Sequence, residues 1–235
     1  MQHIAESNNG FQFYFTDVSD GDSILLENVT RTLLELSFSG VVTNVTQVHG
    51  NRVAILSPLS ELEINWGQPL SFVNLGNADA IISSTRQRVA LLVRTADCVP
   101  VGLFDEISGI NAVIHAGWRG LKEGVIESTV KEMRNLGAKT IRAVVGPHAG
   151  RCCYAFSPND IQNIGEHFGV DCSFELSTGE MALDLYILLS KVLSDISVAF
   201  LDERPDCTIC NHRYYSFRRD GTKKRMALIG LYREP

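Results

Sequence analysis

The stretch "VALLVRTADCVPVGLFDEISGINAVIHAGWRGLKEGVIESTVKEMRNLG", residues 89–137, decides the fold. It opens on "VALLV" (89–93), a continuous apolar run of the kind found in strands covered on both faces. "VPVGLF" (99–104) and "INAVI" (110–114) read as two further strands. The period then changes. Leu121, Val125, Ile126, Val130 and Met133 form one stripe, and Gly137 follows as a stop signal, so residues 121–137 are expected to form one amphipathic helix. Strands handing over to a helix within 50 residues point to layers of sheet and helix.

The same reading extends outward. "VVTNVTQV" (41–48) is β-branched and alternating, "DAIIS" (79–83) is a short strand, and "TIRAVVG" (140–146) is another. In "SPNDIQNIGEHFG", Ser157 is a candidate N-cap with Pro158 at the first helical position. "MALDLYILLSKVL" (181–193) reads as a helix and "MALIGLY" (226–232) as a closing strand. Nearer the start, "FQFYF" (11–15) and "SILLE" (23–27) look like strands and "VTRTLLEL" (29–36) like a helix. No repeat or Pro/Gly/Ser linker divides the chain. The expectation is one domain over residues 1–235, of α/β (α+β) class, a layered sandwich of mixed sheets flanked by helices.

Composition narrows the function classes. The 235 residues are 45% hydrophobic with a formal net charge of −6, which argues against a general nucleic-acid binder. Residues 213–225, "RYYSFRRDGTKKR", hold six basic residues and one acidic. That tract is +5 on a remainder of −11, suited either to a small anion or to plain solvation. No apolar run is long enough to span a membrane. The opening "MQHIAESNNG" lacks a basic then apolar leader, so a cytoplasmic location is expected. Six cysteines in such a chain are metal ligands, nucleophiles or core residues more often than disulfides.

Three metal-capable side chains stand near the carboxyl ends of strands: His49 after 41–48, Cys98 in "RTADC", and His115 after 110–114. Ligands gather at such ends in layered α/β proteins. Two imidazoles and a thiolate suit zinc, with a fourth position left open as in catalytic sites. Spacing alone leaves the question open, because these gaps match no local zinc-finger signature and a lone His or Cys is commonly a turn or core residue.

Longer motifs add to this. "TQVHGNRV", "NADAIIS", "RTADCVPVGLFD", "VIHAGWRGL", "VVGPHAGRCCYAF" and "CTICNHRYYSFRRDGTKKRMALIGL" occur in this order over residues 46–231. Together they resemble the YfiH/laccase-domain family, once called multicopper polyphenol oxidoreductases. The resemblance implies a fold like the catalytic domain of cytotoxic necrotizing factor, and one zinc ion on His49, Cys98 and His115. It also implies an enzyme that cleaves adenosine, inosine or guanosine with phosphate and deaminates adenosine. The small-molecule partners would be a nucleoside and phosphate, with neither nucleic acid nor membrane. The chain departs from the family pattern in "FYFTDVSDGDSILLEN", at His148, and in "TKKR".

Under this reading Arg119, beside a helix start, would hold phosphate or substrate; a structural salt bridge is the alternative. Asp97, beside Cys98, would shuttle a proton, or else shape the turn. Cys98, Asp97 and Arg119 are thus the candidate catalytic residues, and Gln47, Arg119, Cys153 and Arg218 the candidate substrate-binding ones. Cys207-x-x-Cys210 with nearby His212 is half a zinc site, a redox pair or packing. Asp220-Gly221 reads as a hairpin turn.

Two other enzyme readings compete. A copper-dependent polyphenol oxidase of the multicopper type needs many histidines, usually in H-x-H pairs; this chain has six and no such pair. A cysteine hydrolase, with a role in editing peptidoglycan precursors beside it, would use Cys98 as nucleophile and His115 as base. A binding module without turnover is the non-enzymatic alternative.

Overall fold

A computed structural model describes residues 2–6, 10–56, 58–62, 64–65, 67–84, 88–200 and 204–232. Its strands are β1 (Gln2–Glu6), β2 (Phe11–Phe15), β3 (Gly40–Thr46), β4 (Val53–Ile55), β5 (Leu70–Asn77), β6 (Ala80–Ser83), β7 (Val89–Thr95), β8 (Val99–Asp105), β9 (Asn111–Ala116), β10 (Ile141–Val145), β11 (Ser173–Glu175), β12 (Met181–Leu183), β13 (Ala199–Phe200) and β14 (Met226–Tyr232). The helices are α1 (Leu26–Glu35), α2 (Trp118–Lys122), α3 (Val125–Asn135), α4 (Pro158–Phe168), α5 (Leu185–Asp195) and α6 (Phe217–Asp220).

Two mixed six-stranded sheets, ordered β1-β2-β14-β7-β3-β5 and β13-β10-β8-β9-β6-β4, pack face to face. Side-chain alternation makes this a stack of layers. In β7, Leu91 and Val93 point between the sheets, where they meet Phe13, Phe104 and Val113. Ala90 and Leu92 point the other way, onto Val29 and Leu33 of α1. In β9, Val113 faces the inter-sheet core while Ala112, Ile114 and Ala116 face α3 and α5 through Ile126, Val130, Leu188 and Leu189. Gly102 in β8 is required by this packing: a Cβ there would lie 2.6 Å from the Phe13 ring. Among the described residues no helix is long and apolar enough to cross a membrane.

Four local expectations are corrected. Residues 121–137 are not one helix: Gly124 adopts φ +84°, ending α2 and N-capping α3. Residues 181–193 are a strand and then a helix. Asp184 accepts the N–H groups of Tyr186 and Ile187, and this cap inside a continuous apolar run divides the two. "SILLE" is not a strand; its last two residues begin α1, whose buried face is Val29, Thr32 and Leu33. Asp220-Gly221 closes no hairpin, since Gly221 is the left-handed C-cap of α6.

Candidate metal-centred active site

Strand pairing gathers the three donors. β3 and β7 run parallel, so the segments leaving them emerge on one edge, carrying His49 and Cys98. Antiparallel pairing of β8 with β9 sets Val99 opposite Ala116 and Pro100 opposite His115, which brings Cys98 to the same end. The ligand atoms of His49, Cys98 and His115 lie within 4.8 Å of one another. His115 is buried, Cys98 partly so, and His49 is exposed. The two imidazole rings meet edge to face, 4.8 Å between centroids.

Asp79 organises this set, and the sequence reading assigned it no role. It stands just before β6, whose pairing with β9 places Ala80 opposite Ile114, so Asp79 lies beside His115. Its carboxylate is fully buried and accepts four hydrogen bonds. They come from the N–H groups of Val48 (3.2 Å), His49 (3.0 Å) and Gly50 (2.8 Å) and from His115 Nδ1 (2.8 Å). One side chain thus holds the 48–50 turn, in which His49 has φ +61°, and fixes the other imidazole. With Nδ1–H spent on Asp79, the Nε2 lone pair of His115 is free to bind an ion. The signal for this residue was present in "NADAIIS": an acid directly ahead of a buried strand has to find donors.

Charge follows from these contacts. Burial opposes ionisation of Asp79, but hydrogen bonds from His115 and the Gly50 N–H outweigh it, and its carboxyl stays below the usual range. Burial likewise opposes the Cys98 thiolate. The charge on His115, with hydrogen bonds from His115 and His49, overcomes it and brings the thiol down to about 6. His115 is raised to about 9, where the Cys98 thiolate and Asp79 outweigh burial. Without an ion the pair is therefore a thiolate beside an imidazolium.

The glycines of "HAGWRG" serve the donors themselves. A Cβ on Gly117 would lie 3.0 Å from Cys98 Sγ and 3.4 Å from the His49 ring, and one on Gly120 would lie 3.1 Å from the Gly50 carbonyl.

The donors open onto a cavity of about 750 Å³, within the range of small-molecule sites. Arg94, Arg119, Arg218 and Arg225 line it, with Asp97 and Asp160 as its carboxylates. Aromatic faces come from Trp118, Tyr154, Phe156 and the exposed Phe217. Ile24, from the stretch that departs from the family pattern, also reaches it. The Arg119 guanidinium rests over Trp118, 4.7 Å from the ring centroid, and has no ion pair among the described residues. Arg218 lies over Tyr154 at 4.5 Å and Phe156 at 5.1 Å.

Other candidates are placed differently. Gln47 lines the cavity, but both ends of its amide bond the Arg94 backbone, donating to the carbonyl at 2.7 Å and accepting the N–H at 2.8 Å. Asp97 has φ +93° and both its carboxylate oxygens occupied, by Thr208 Oγ1 (2.7 Å) and by the Arg218 N–H (2.7 Å). That is the turn-shaping alternative to a proton shuttle. Cys153 does not line the cavity; it sits with Cys152, Cys207 and Cys210 in a second group of donors that excludes His212. His148 is buried, bonded through Nδ1 to the Gly146 carbonyl at 3.0 Å and stacked on Tyr186.

Residues 6–232 match the model of a family described as multi-copper polyphenol oxidoreductase laccase. The chain belongs to this family. Its relatives carry other names. A purine nucleoside phosphorylase of Streptomyces coelicolor is 34% identical over 78% of this chain and 72% of its own. Another from Mycobacterium bovis is 30% identical over 90% and 81%. A protein of an unknown prokaryotic organism, 30% identical over 80% and 73%, is named an adenosine deaminase. Among solved structures, a Neisseria meningitidis protein aligns over 98% of both chains with a TM-score of 0.75 at 22% identity. The YfiH protein of Bacillus licheniformis aligns over 95% and 93%, also at 0.75, with 21% identity. The family and its layered α/β fold are therefore those the motifs implied.

Proposed function

We propose that the cavity is the active site of a zinc-dependent purine nucleoside phosphorylase that also deaminates adenosine. The observation that carries this reading is a His/Cys/His donor set in the wall of a cavity that also offers guanidiniums and aromatic faces. The names of the relatives support the same substrate class.

The donors fit a zinc ion on their own chemistry. One thiolate and two imidazoles converge, and a carboxylate behind His115 fixes its tautomer. A zinc ion held there supplies Lewis-acid polarisation and lowers the pKa of water. The protein's own groups do the rest. Trp118, Tyr154, Phe156 and Phe217 offer flat apolar surfaces for a purine ring. Arg119 and Arg218, whose side chains have no carboxylate partner among the described residues, hold the phosphate nucleophile. Asp97 ties the turn bearing Cys98 to Thr208 and the start of α6, which makes it a positioning residue. Multicopper oxidation finds little support, because the second group of donors among the described residues is cysteine alone.

A second reading has one specific observation in its favour. Cys98, His115 and Asp79 also form a nucleophile, base and orienting acid, as in a cysteine hydrolase. Incubating metal-analysed protein in parallel with adenosine plus phosphate, adenosine alone and a catechol separates the readings. Phosphate-dependent release of adenine that a chelator stops and zinc restores supports the phosphorylase. Activity untouched by chelator points to the hydrolase, and catechol oxidation alone points to the oxidase.

A further inference from the structure

Outside the active site, four cysteines from two distant segments converge. Cys152 and Cys153 lie in the turn after β10, and Cys207 and Cys210 in a turn ahead of α6. All four Sγ atoms lie within 4.8 Å of one another. Cys153 Sγ is 2.8 Å from Cys210 and 3.4 Å from Cys207, and Cys152 Sγ is 3.2 Å from Cys210 and 3.6 Å from Cys153. All four are free thiols.

We propose that Cys152, Cys153, Cys207 and Cys210 bind one structural zinc ion as a tetrathiolate site that braces the active-site turn. The geometry is that of a single ion. Four sulfurs at about 2.3 Å from zinc stand roughly 3.8 Å apart in a tetrahedron, and the sulfurs here, 2.8 to 3.6 Å apart in four of their six pairs and within 4.8 Å in all, crowd around one such centre. An iron–sulfur cluster, with inorganic sulfide between its irons, holds its cysteines farther apart. One disulfide would engage two of the four thiols and leave the other two crowded against it.

The backbone is arranged around the sulfurs. The Gly150 N–H donates to Cys207 Sγ at 3.1 Å, and the Cys210 N–H also bonds that sulfur. Gly150 leaves room for this approach: a Cβ would lie 3.0 Å from Cys207 Cβ and 3.3 Å from both Cys152 Sγ and Cys207 Sγ. His148 N–H donates to the Asp206 carbonyl at 3.2 Å and Thr208 N–H to the His148 carbonyl at 3.0 Å, which clamps the two segments together. Arg219 donates to the carbonyls of Thr208 and Ile209 at 2.9 and 3.0 Å, placing a cation beside the negative tetrathiolate. As each S–Zn bond forms, the thiol proton passes to solvent, with no change of oxidation state.

The consequence lies one residue away. Thr208, inside the C-x-x-C turn, donates to Asp97 at 2.7 Å, and Asp97 adjoins Cys98. Zinc on the four cysteines therefore fixes the turn that holds the active-site thiolate, without touching substrate.

The test uses the full chain with two of the three active-site donors removed, as His49→Ala/Cys98→Ser, purified in reductant with zinc. The expected result is one zinc per chain, with X-ray absorption showing four sulfurs at about 2.3 Å. In the same zinc-loaded variant, the exposed Cys152 and Cys210 should resist a thiol reagent until a strong chelator is added. No bound zinc in the double variant, a first shell of nitrogen or oxygen, or immediate reaction of Cys152 and Cys210 in the zinc-loaded variant each overturns the proposal. None of these results depends on the active-site ion, because the variant keeps only His115 of its three donors and lacks the Cys98 thiol.

Discussion

Asp79→Asn is the most informative single change. The side chain keeps its shape, but one of two oxygens becomes an NH₂ group. In the native site one oxygen accepts from His49 N–H and His115 Nδ1, and the other from Val48 N–H and Gly50 N–H. An amide cannot serve both pairs. If its NH₂ faces Val48 and Gly50, two buried backbone donors lose their acceptor and the turn carrying His49 loosens. If it faces His115, the imidazole must accept at Nδ1, the proton moves to Nε2, and the lone pair needed for zinc is gone. Either arrangement weakens the ion's site. Loss of a ligand's orienting partner costs about 10–100-fold in metal affinity, or about 1.4–2.7 kcal/mol. The assay is competitive titration of zinc against a chromophoric chelator, with circular dichroism run beside it to confirm the fold. A folded Asp79→Asn protein with wild-type zinc affinity would refute the assigned role of this carboxylate.

Three further outcomes follow from the same geometry. Cys98→Ala and His115→Ala each reduce adenosine phosphorolysis to background while the circular dichroism spectrum is kept, as measured by adenine release; retention of both ion and rate rejects the donor assignment. Arg119→Ala raises the KM for phosphate by about 10–100-fold, the equivalent of one charge-assisted hydrogen bond of about 1.5–3 kcal/mol, and an unchanged phosphate KM removes Arg119 from that role. In the metal-free chain, alkylation of Cys98 by iodoacetamide rises with pH through a midpoint near 6, because a depressed pKa leaves the reactive thiolate populated at lower pH. Zinc should slow that reaction, and a midpoint near the ordinary thiol value of about 8.5 contradicts the thiolate–imidazolium pair.

The layers and the three donors were legible because they rest on periodicity and motif. The apolar runs at 89–93, 99–104 and 110–114 are continuous, which marks strands covered on both faces, and the structure then sorts their side chains between the layers. What escaped was set by tertiary contact. Gly124 and Asp184 each interrupt an apolar pattern that, read alone, continues through them. Asp79 acts through partners 29 to 36 residues away in sequence, so spacing gave no hint of its fourfold use. Cys153 was a candidate for the substrate pocket, yet segment 207–210 draws it into a different group. The glycines of "HAGWRG" make room for Cys98, His49 and the Gly50 carbonyl, neighbours that only the folded chain brings to them.

Anomalous diffraction at the zinc edge, from crystals of protein that turns over adenosine with phosphate, addresses the donor set directly. A strong peak within bonding distance of His49, Cys98 and His115, separate from any peak at the four cysteines, is the predicted result. Crystals of the active protein with no peak between those three side chains would contradict it.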